Sequence, residues 1–99
     1  MDNGEFWDLY RKVERWIFQE ESQQMVEDIL AYYDWIASRV GRPLAENLLR
    51  RGLISGSLYD ELKDVERIIN NIRSYDLQFV KAQLVRILEV LEQAYFSLR

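Results

Sequence analysis

Apart from Gly4, every glycine and the single proline of this chain fall in one short segment: Gly41, Pro43, Gly52 and Gly56. Residues 5–40 and 57–99 therefore run without a residue that stops regular structure. Both stretches repeat apolar side chains at spacings of three and four, the period of a helix face, and neither shows the strict alternation of a strand or an Asn-Gly or Asp-Gly hairpin turn. The pattern predicts one all-α domain over residues 1–99, a small bundle of four to five helices at about 4–21, 23–40, 43–51, 58–73 and 77–98.

Local signals refine that expectation. Asp2 and Glu5 have capping-box spacing at the first helix start. Phe6, Leu9, Tyr10, Val13, Trp16 and Ile17 then share an arc of about 120°. The polar stretch Gln19–Gln24 interrupts it and predicts a break or bend at Ser22. The second helix carries Met25, Val26, Ile29, Tyr32, Tyr33 and Ile36 inward and stops at Gly41. Pro43 suits the first turn of a short helix that Gly52 closes. Ser57 with Asp60 reads as the next start. From there Leu58, Leu62, Val65, Ile69 and Ile72 form a core stripe, while Asp60, Lys63, Asp64, Glu66 and Arg67 read as a solvated face of near-neighbour ion pairs. Asp76 is placed to cap the last helix.

That last helix carries the strongest pattern. Leu77, Val80, Leu84, Ile87, Leu91, Ala94 and Leu98 alternate by three and four over three heptads. Phe79, Val85, Val90 and Phe96 lie off this stripe, which leaves apolar residues around most of the circumference. Such a helix is either the centre of the bundle or shared between two chains. The expectation is a two-fold homodimer with Leu77, Val80, Leu84, Ile87, Leu91 and Leu98 as the self-association seam. Trp7 and Phe18 flank the core arc of the first helix and Trp35 lies off the stripe of the second. All three are therefore expected on a surface that meets a protein partner.

Composition closes several functional classes. The chain has no Cys and no His, which removes disulfides, thiolate metal sites, the commonest imidazole ligand and the commonest general base. No metal or cofactor is expected, and no enzymatic activity. No stretch approaches the length of a membrane span, and the first residues lack the basic start and apolar core of a signal peptide, so a cytoplasmic location is expected. Net charge is −4, distributed unevenly: residues 1–38 hold nine acids and three bases, net −6, whereas residues 39–52 are net +3. The one basic concentration, Arg39, Arg42, Arg50 and Arg51, is a candidate nucleic-acid contact, although helix C-termini attract arginine for electrostatic reasons alone. The phrase Leu48-Leu49-Arg50-Arg51-Gly52-Leu53-Ile54-Ser55-Gly56-Ser57-Leu58-Tyr59 resembles the helix-turn-helix segment of small transcriptional regulators, which implies a DNA-contacting second helix. Glu61 and Asp64 have the spacing found on the acidic, Mg²⁺-holding helices of small all-α nucleotide pyrophosphatases. That family's Glu-Glu-x-x-Glu run is broken here, since Glu20-Glu21 is followed by Gln24. The function expected is a non-catalytic protein–protein interaction module (adaptor, assembly subunit or small inhibitor), with a DNA- or RNA-binding accessory role as the alternative.

Overall fold

Six α-helices joined by turns make up the computed structural model, which describes residues 3–98, and no strand occurs among them. They are α1 (Gly4–Glu14), α2 (Gln23–Ala37), α3 (Leu44–Arg50), α4 (Gly56–Asn70), α5 (Leu77–Ala82) and α6 (Leu84–Phe96). The capping role expected of Asp2 lies outside the described residues.

The first helix stops short of residue 21. It tightens into a 3₁₀ turn over Arg15–Phe18, and Gln19 and Ser22 are extended before α2 begins. The interruption at the polar stretch is therefore a full break. At Gly41 (φ 99°) the amide reaches back to the Ala37 carbonyl at 2.7 Å. At Gly52 (φ 71°) the two bonds Leu53 N to Leu48 O and Gly52 N to Leu49 O, 3.0 and 2.9 Å, close α3 as a Schellman motif. The Arg42–Pro43 peptide bond is cis. The α4 start differs from expectation. Ser55, not Ser57, is the cap, its Oγ accepting from the Leu58 amide at 3.3 Å, so the helix begins at Gly56 rather than at residue 58. Asp76 caps as expected, accepting from the Phe79 amide at 2.8 Å.

The expected single helix over residues 77–98 is divided. Gln83 sits at φ −92°, ψ −3°, and its amide is shared between the Phe79 and Val80 carbonyls at 3.2 and 3.0 Å, which separates six-residue α5 from thirteen-residue α6. Periodicity on both sides of Gln83 follows one apolar face, so the sequence pattern reads through the turn. Helix α6 lies at the middle of the molecule, packed by α1, α2, α4, α5 and the 3₁₀ turn. Its stripe is consequently core: Val80, Leu84, Ile87 and Leu91 are at most 1 % exposed within the single chain. This corrects the seam assignment for those four residues, because their surface is already removed from water by the chain's own helices. Leu77 and Leu98 are half-buried against the same core. Of the four off-stripe residues, Val90 is buried and Phe96 packs among aromatic rings, while Phe79 and Val85 stay exposed at 38 % and 46 %.

Among the described residues two carboxylates are buried, and each has donors. Asp28 on α2 accepts from Trp16 Nε1 at 2.8 Å and Gln24 Nε2 at 3.0 Å, with the Arg15 guanidinium at 3.6 Å, and so holds the 3₁₀ turn to α2. Glu66 on α4 is only 5 % exposed and accepts from the Leu44 and Ala45 amides at 2.7 and 2.8 Å and from the Tyr33 hydroxyl. This corrects the solvated-face reading for Glu66 alone, since Asp60, Lys63 and Arg67 are exposed. Glu66 turns inward because α3 begins there with two free amides. Asp64 does face outward, clamped by Arg67 at 2.6 Å and Arg86 at 2.5 Å.

Burial raises the phenol pKa of Tyr32, whose hydroxyl donates to the Leu88 carbonyl, and of Tyr33, where the Glu66 carboxylate adds to the effect. The fold thus holds both protonated while the unfolded chain ionises near pH 10, so the unfolded state binds fewer protons and stability falls as pH rises. By about pH 11 each tyrosine should remove about 1.4 kcal/mol. Chemical denaturation between pH 8 and about pH 11 checks this. A Tyr32→Phe/Tyr33→Phe chain should lose markedly less over the same interval.

Candidate functional site

The residues assigned to a partner surface divide. Phe6 lies at the centre of an aromatic cluster that joins α1, α2 and α6, stacked on Tyr95 at 4.1 Å with Trp7, Tyr10, Tyr32, Trp35 and Phe96 within 6.1 Å. Trp7 and Trp35 are half-buried members of that cluster. The Trp35 indole N–H donates to Glu5, and its ring carries the Arg39 guanidinium 3.4 Å from the ring centroid. Phe18 is different. At 84 % exposure it is the most exposed large apolar side chain among the described residues.

The four arginines also have separate tasks. Arg39 covers Trp35 and donates to its carbonyl, Arg42 pairs with Asp34, and Arg50 donates to Asn47, while Arg51 is exposed at the end of α3. In a helix-turn-helix, the N-terminal residues of the second helix approach the bases. Here that helix is α4, and its first two turns expose Asp60 and Glu61, which repel phosphate. Its other face is core, with Leu62, Val65, Ile68 and Ile69 buried.

Of the acid pair with Mg²⁺-helix spacing, Asp64 has both oxygens engaged by arginine, which lowers its pKa through those hydrogen bonds. Among the described residues no three carboxylates converge closely enough to hold an ion, and no helix is long and apolar enough to cross a membrane. The most polar groove, about 390 Å³ beside the end of α4, is lined by Tyr33, Asp34, Arg42, Asn70, Asn71 and Arg73. Both of its arginines are bound to carboxylates, Arg42 to Asp34 and Arg73 to Glu27, so it offers no free cation to an anionic ligand.

A surface that the sequence reading overlooked lies between α1 and α6. Glu14 on α1 and Glu89 on α6 are both within Coulombic reach of Glu92 on α6, and all three are within reach of the Tyr10 hydroxyl. Partial burial, then the Glu89 and Glu14 charges, raises the Glu92 pKa, and partial burial, then the charges of Glu92, Glu14 and Glu89, raises that of Tyr10. None of the ion pairs among the described residues involves these three acids. Phe18 lies one turn beyond Glu14, and Val85 lies one turn before Glu89. No family model, curated protein or solved structure matches this chain.

Proposed function

We propose that this chain is a non-catalytic protein-interaction module. The observation that carries the reading is Phe18. A benzyl group 84 % exposed on a short 3₁₀ turn contributes little to the chain's own core, and covering it would gain about 1.5–3 kcal/mol. The residues able to do acid–base chemistry support the same reading, since the buried carboxylates are occupied in holding helices together and Tyr32 and Tyr33 are inside the core.

Self-association, if it accompanies this role, would draw on the exposed apolar side chains Phe18, Leu49, Leu53, Phe79 and Val85, because most of the expected seam is core. The nucleic-acid alternative rests on Arg50 and Arg51, which are exposed. With immobilised chain as bait in an extract of the cells that make it, the wild type should retain a defined polypeptide that Phe18→Asp loses. The substitution should change folding stability by no more than about 0.5 kcal/mol, as is usual at an exposed site. Identical retention by both baits would refute the reading. Salt-sensitive capture of labelled duplex or single-stranded nucleic acid, abolished by Arg50→Ala/Arg51→Ala, would put the alternative in its place.

A further inference from the structure

Two helices here combine an uncovered apolar end with an uncompensated acidic end. Helix α6 packs on both α1 and the 3₁₀ turn. The Lys81 ammonium, near the end of α5, donates to the Gln19 carbonyl, next to Phe18, and Val85 stands in the first turn of α6 just beyond the break at Gln83. Phe18 and Val85 thus belong to the same end of the α1–α6 face, exposed at 84 % and 46 %. Toward the other end, Glu14, Glu89 and Glu92 surround Tyr10, and the charges acting on Glu92 are the two other carboxylates.

Two cations stand beside this face. Lys81 is tied to Gln19 at the apolar end. Arg11 lies with Asp8, Lys12 and Arg15 along a groove on the next side of α1. Elsewhere Arg73 meets Glu27, Arg42 meets Asp34, and Arg67 and Arg86 meet Asp64, and the acids without an ion pair, such as Asp60 and Glu61, do not gather across two helices as these three do. Three like charges left together beside exposed apolar surface are a local destabilisation that a positively charged partner would relieve.

The chemistry of that partner is restricted. Phosphate-bearing nucleic acid and anionic membrane surfaces carry the wrong charge. A single metal ion is excluded by spacing, because no three carboxylates among the described residues could bind one. A second copy placed two-fold on the same face would set either the same three acids or the apolar pair Phe18 and Val85 over Glu14, Glu89 and Glu92, and neither neutralises them. What fits is a chain with cations spread along one side and an apolar residue alongside them. Resting on the interaction reading above, we propose that the α1–α6 face docks a basic amphipathic helical segment of another protein, with its apolar side on Phe18 and Val85 and its Lys or Arg side chains over Glu14, Glu89 and Glu92.

The test uses the full chain and a fluorescein-labelled amphipathic Leu/Lys peptide of about 18 residues, long enough to form a helix, read by anisotropy. One-to-one binding is expected that weakens as salt rises from about 50 to about 300 mM. Phe18→Ser should weaken it about tenfold, and so should the Glu14→Gln/Glu89→Gln/Glu92→Gln chain, whose fold is relieved of repulsion rather than threatened. Asp60→Asn/Glu61→Gln removes two exposed charges on α4 and should leave the affinity unchanged. A Leu/Glu peptide of the same pattern should not bind. Equal binding to every variant would show attraction to bulk charge alone and overturn the proposal, as would no binding of the Leu/Lys peptide. A dimeric mass in light scattering that reverts to monomer in Phe18→Ser would assign the face to a second copy and overturn it equally. If the peptide fails while Phe18→Asp still loses a cellular polypeptide, the basic chemistry is wrong and the interaction reading stands. If both fail, the interaction reading falls too.

Discussion

Replacing Glu66 by alanine is expected to cost about 3–5 kcal/mol, a large share of the total stability of about 5–15 kcal/mol normal for a domain of this size. The reasoning starts from α3. Seven residues are too few to hold a helix by propensity, since nucleation alone makes much longer isolated helices marginal. Its first-turn amides have no partner within the helix, and Pro43, in the cap position, provides no side-chain acceptor. The Glu66 carboxylate supplies what is missing from a different helix. It accepts from the Leu44 and Ala45 amides at 2.7 and 2.8 Å, and its negative charge lies at the positive end of the α3 dipole. The Tyr33 hydroxyl donates to it from α2, so one side chain ties three helices. Alanine leaves two amides and a phenol without an acceptor inside the core. Each such orphaned group costs about 1–3 kcal/mol.

Two milder variants separate this account from simple loss of packing. Glu66→Gln keeps one acceptor oxygen and should cost less, about 1.5–3 kcal/mol, because its amide group faces a donor. Tyr33→Phe removes one donor and leaves the carboxylate on its two amides, at about 1 kcal/mol. Urea denaturation gives the order Glu66→Ala, Glu66→Gln, Tyr33→Phe, and hydrogen exchange at the Leu44 and Ala45 amides should accelerate first. A Glu66→Ala loss below 1 kcal/mol would show that α3 is held by Leu44, Ala45 and Leu48 packing alone.

Glu66 also marks what could have been read earlier. On α4 it stands between Val65 and Ile69 within the apolar arc, and Asp28 occupies the matching place among Met25, Ile29 and Tyr32 on α2. A carboxylate inside a core stripe signals a buried acceptor waiting for donors, whereas spacing to Lys63 and Arg67 suggested an exposed ion-pair face. Helix type, the interruption before Ser22, the stops at Gly41 and Gly52 and the Asp76 cap were all legible, because each follows from backbone chemistry local to a few residues. The α6 stripe was legible as apolar but not as core. Periodicity reports which face avoids water, and it does not say whether the same chain or another covers that face. The acidic grouping of Glu14, Glu89 and Glu92 was invisible for a related reason. Seventy-five residues separate Glu14 from Glu89, and only the packing of α1 on α6 makes them neighbours.

Phe6→Ala should also cost about 3–5 kcal/mol, the range for removing a fully buried phenyl ring, while Phe18, the same residue type twelve positions on, should tolerate substitution with almost no loss. Phe6 is 0 % exposed and its ring is nearly parallel to Tyr95, 9° between planes, with Trp7 and Phe96 edge-on at 5.0 and 5.7 Å. Tyr95 in turn donates to the Asn3 side chain at 2.6 Å, so the ring cluster fixes the start of α1 on the last turns of α6. Truncating Phe6 opens a cavity where α1, α2 and α6 meet, and six neighbouring rings cannot collapse into it without leaving their own partners. For a chain of this length each kcal/mol lowers the thermal midpoint by about 4–8 °C, so the expected shift is at least about 12 °C, accompanied by weakened near-ultraviolet dichroism. Phe6→Leu keeps most of the volume and should recover more than half of the loss. The α1–α6 face is built on this junction, so Phe6→Ala should weaken peptide binding when α1 loosens, in step with its exchange protection. Phe18→Ser should weaken binding with protection intact. A Phe6→Ala chain that kept the wild-type midpoint would mean that α1 is held mainly by the Trp16–Asp28 bond at its far end, and the aromatic cluster would then be incidental to the fold.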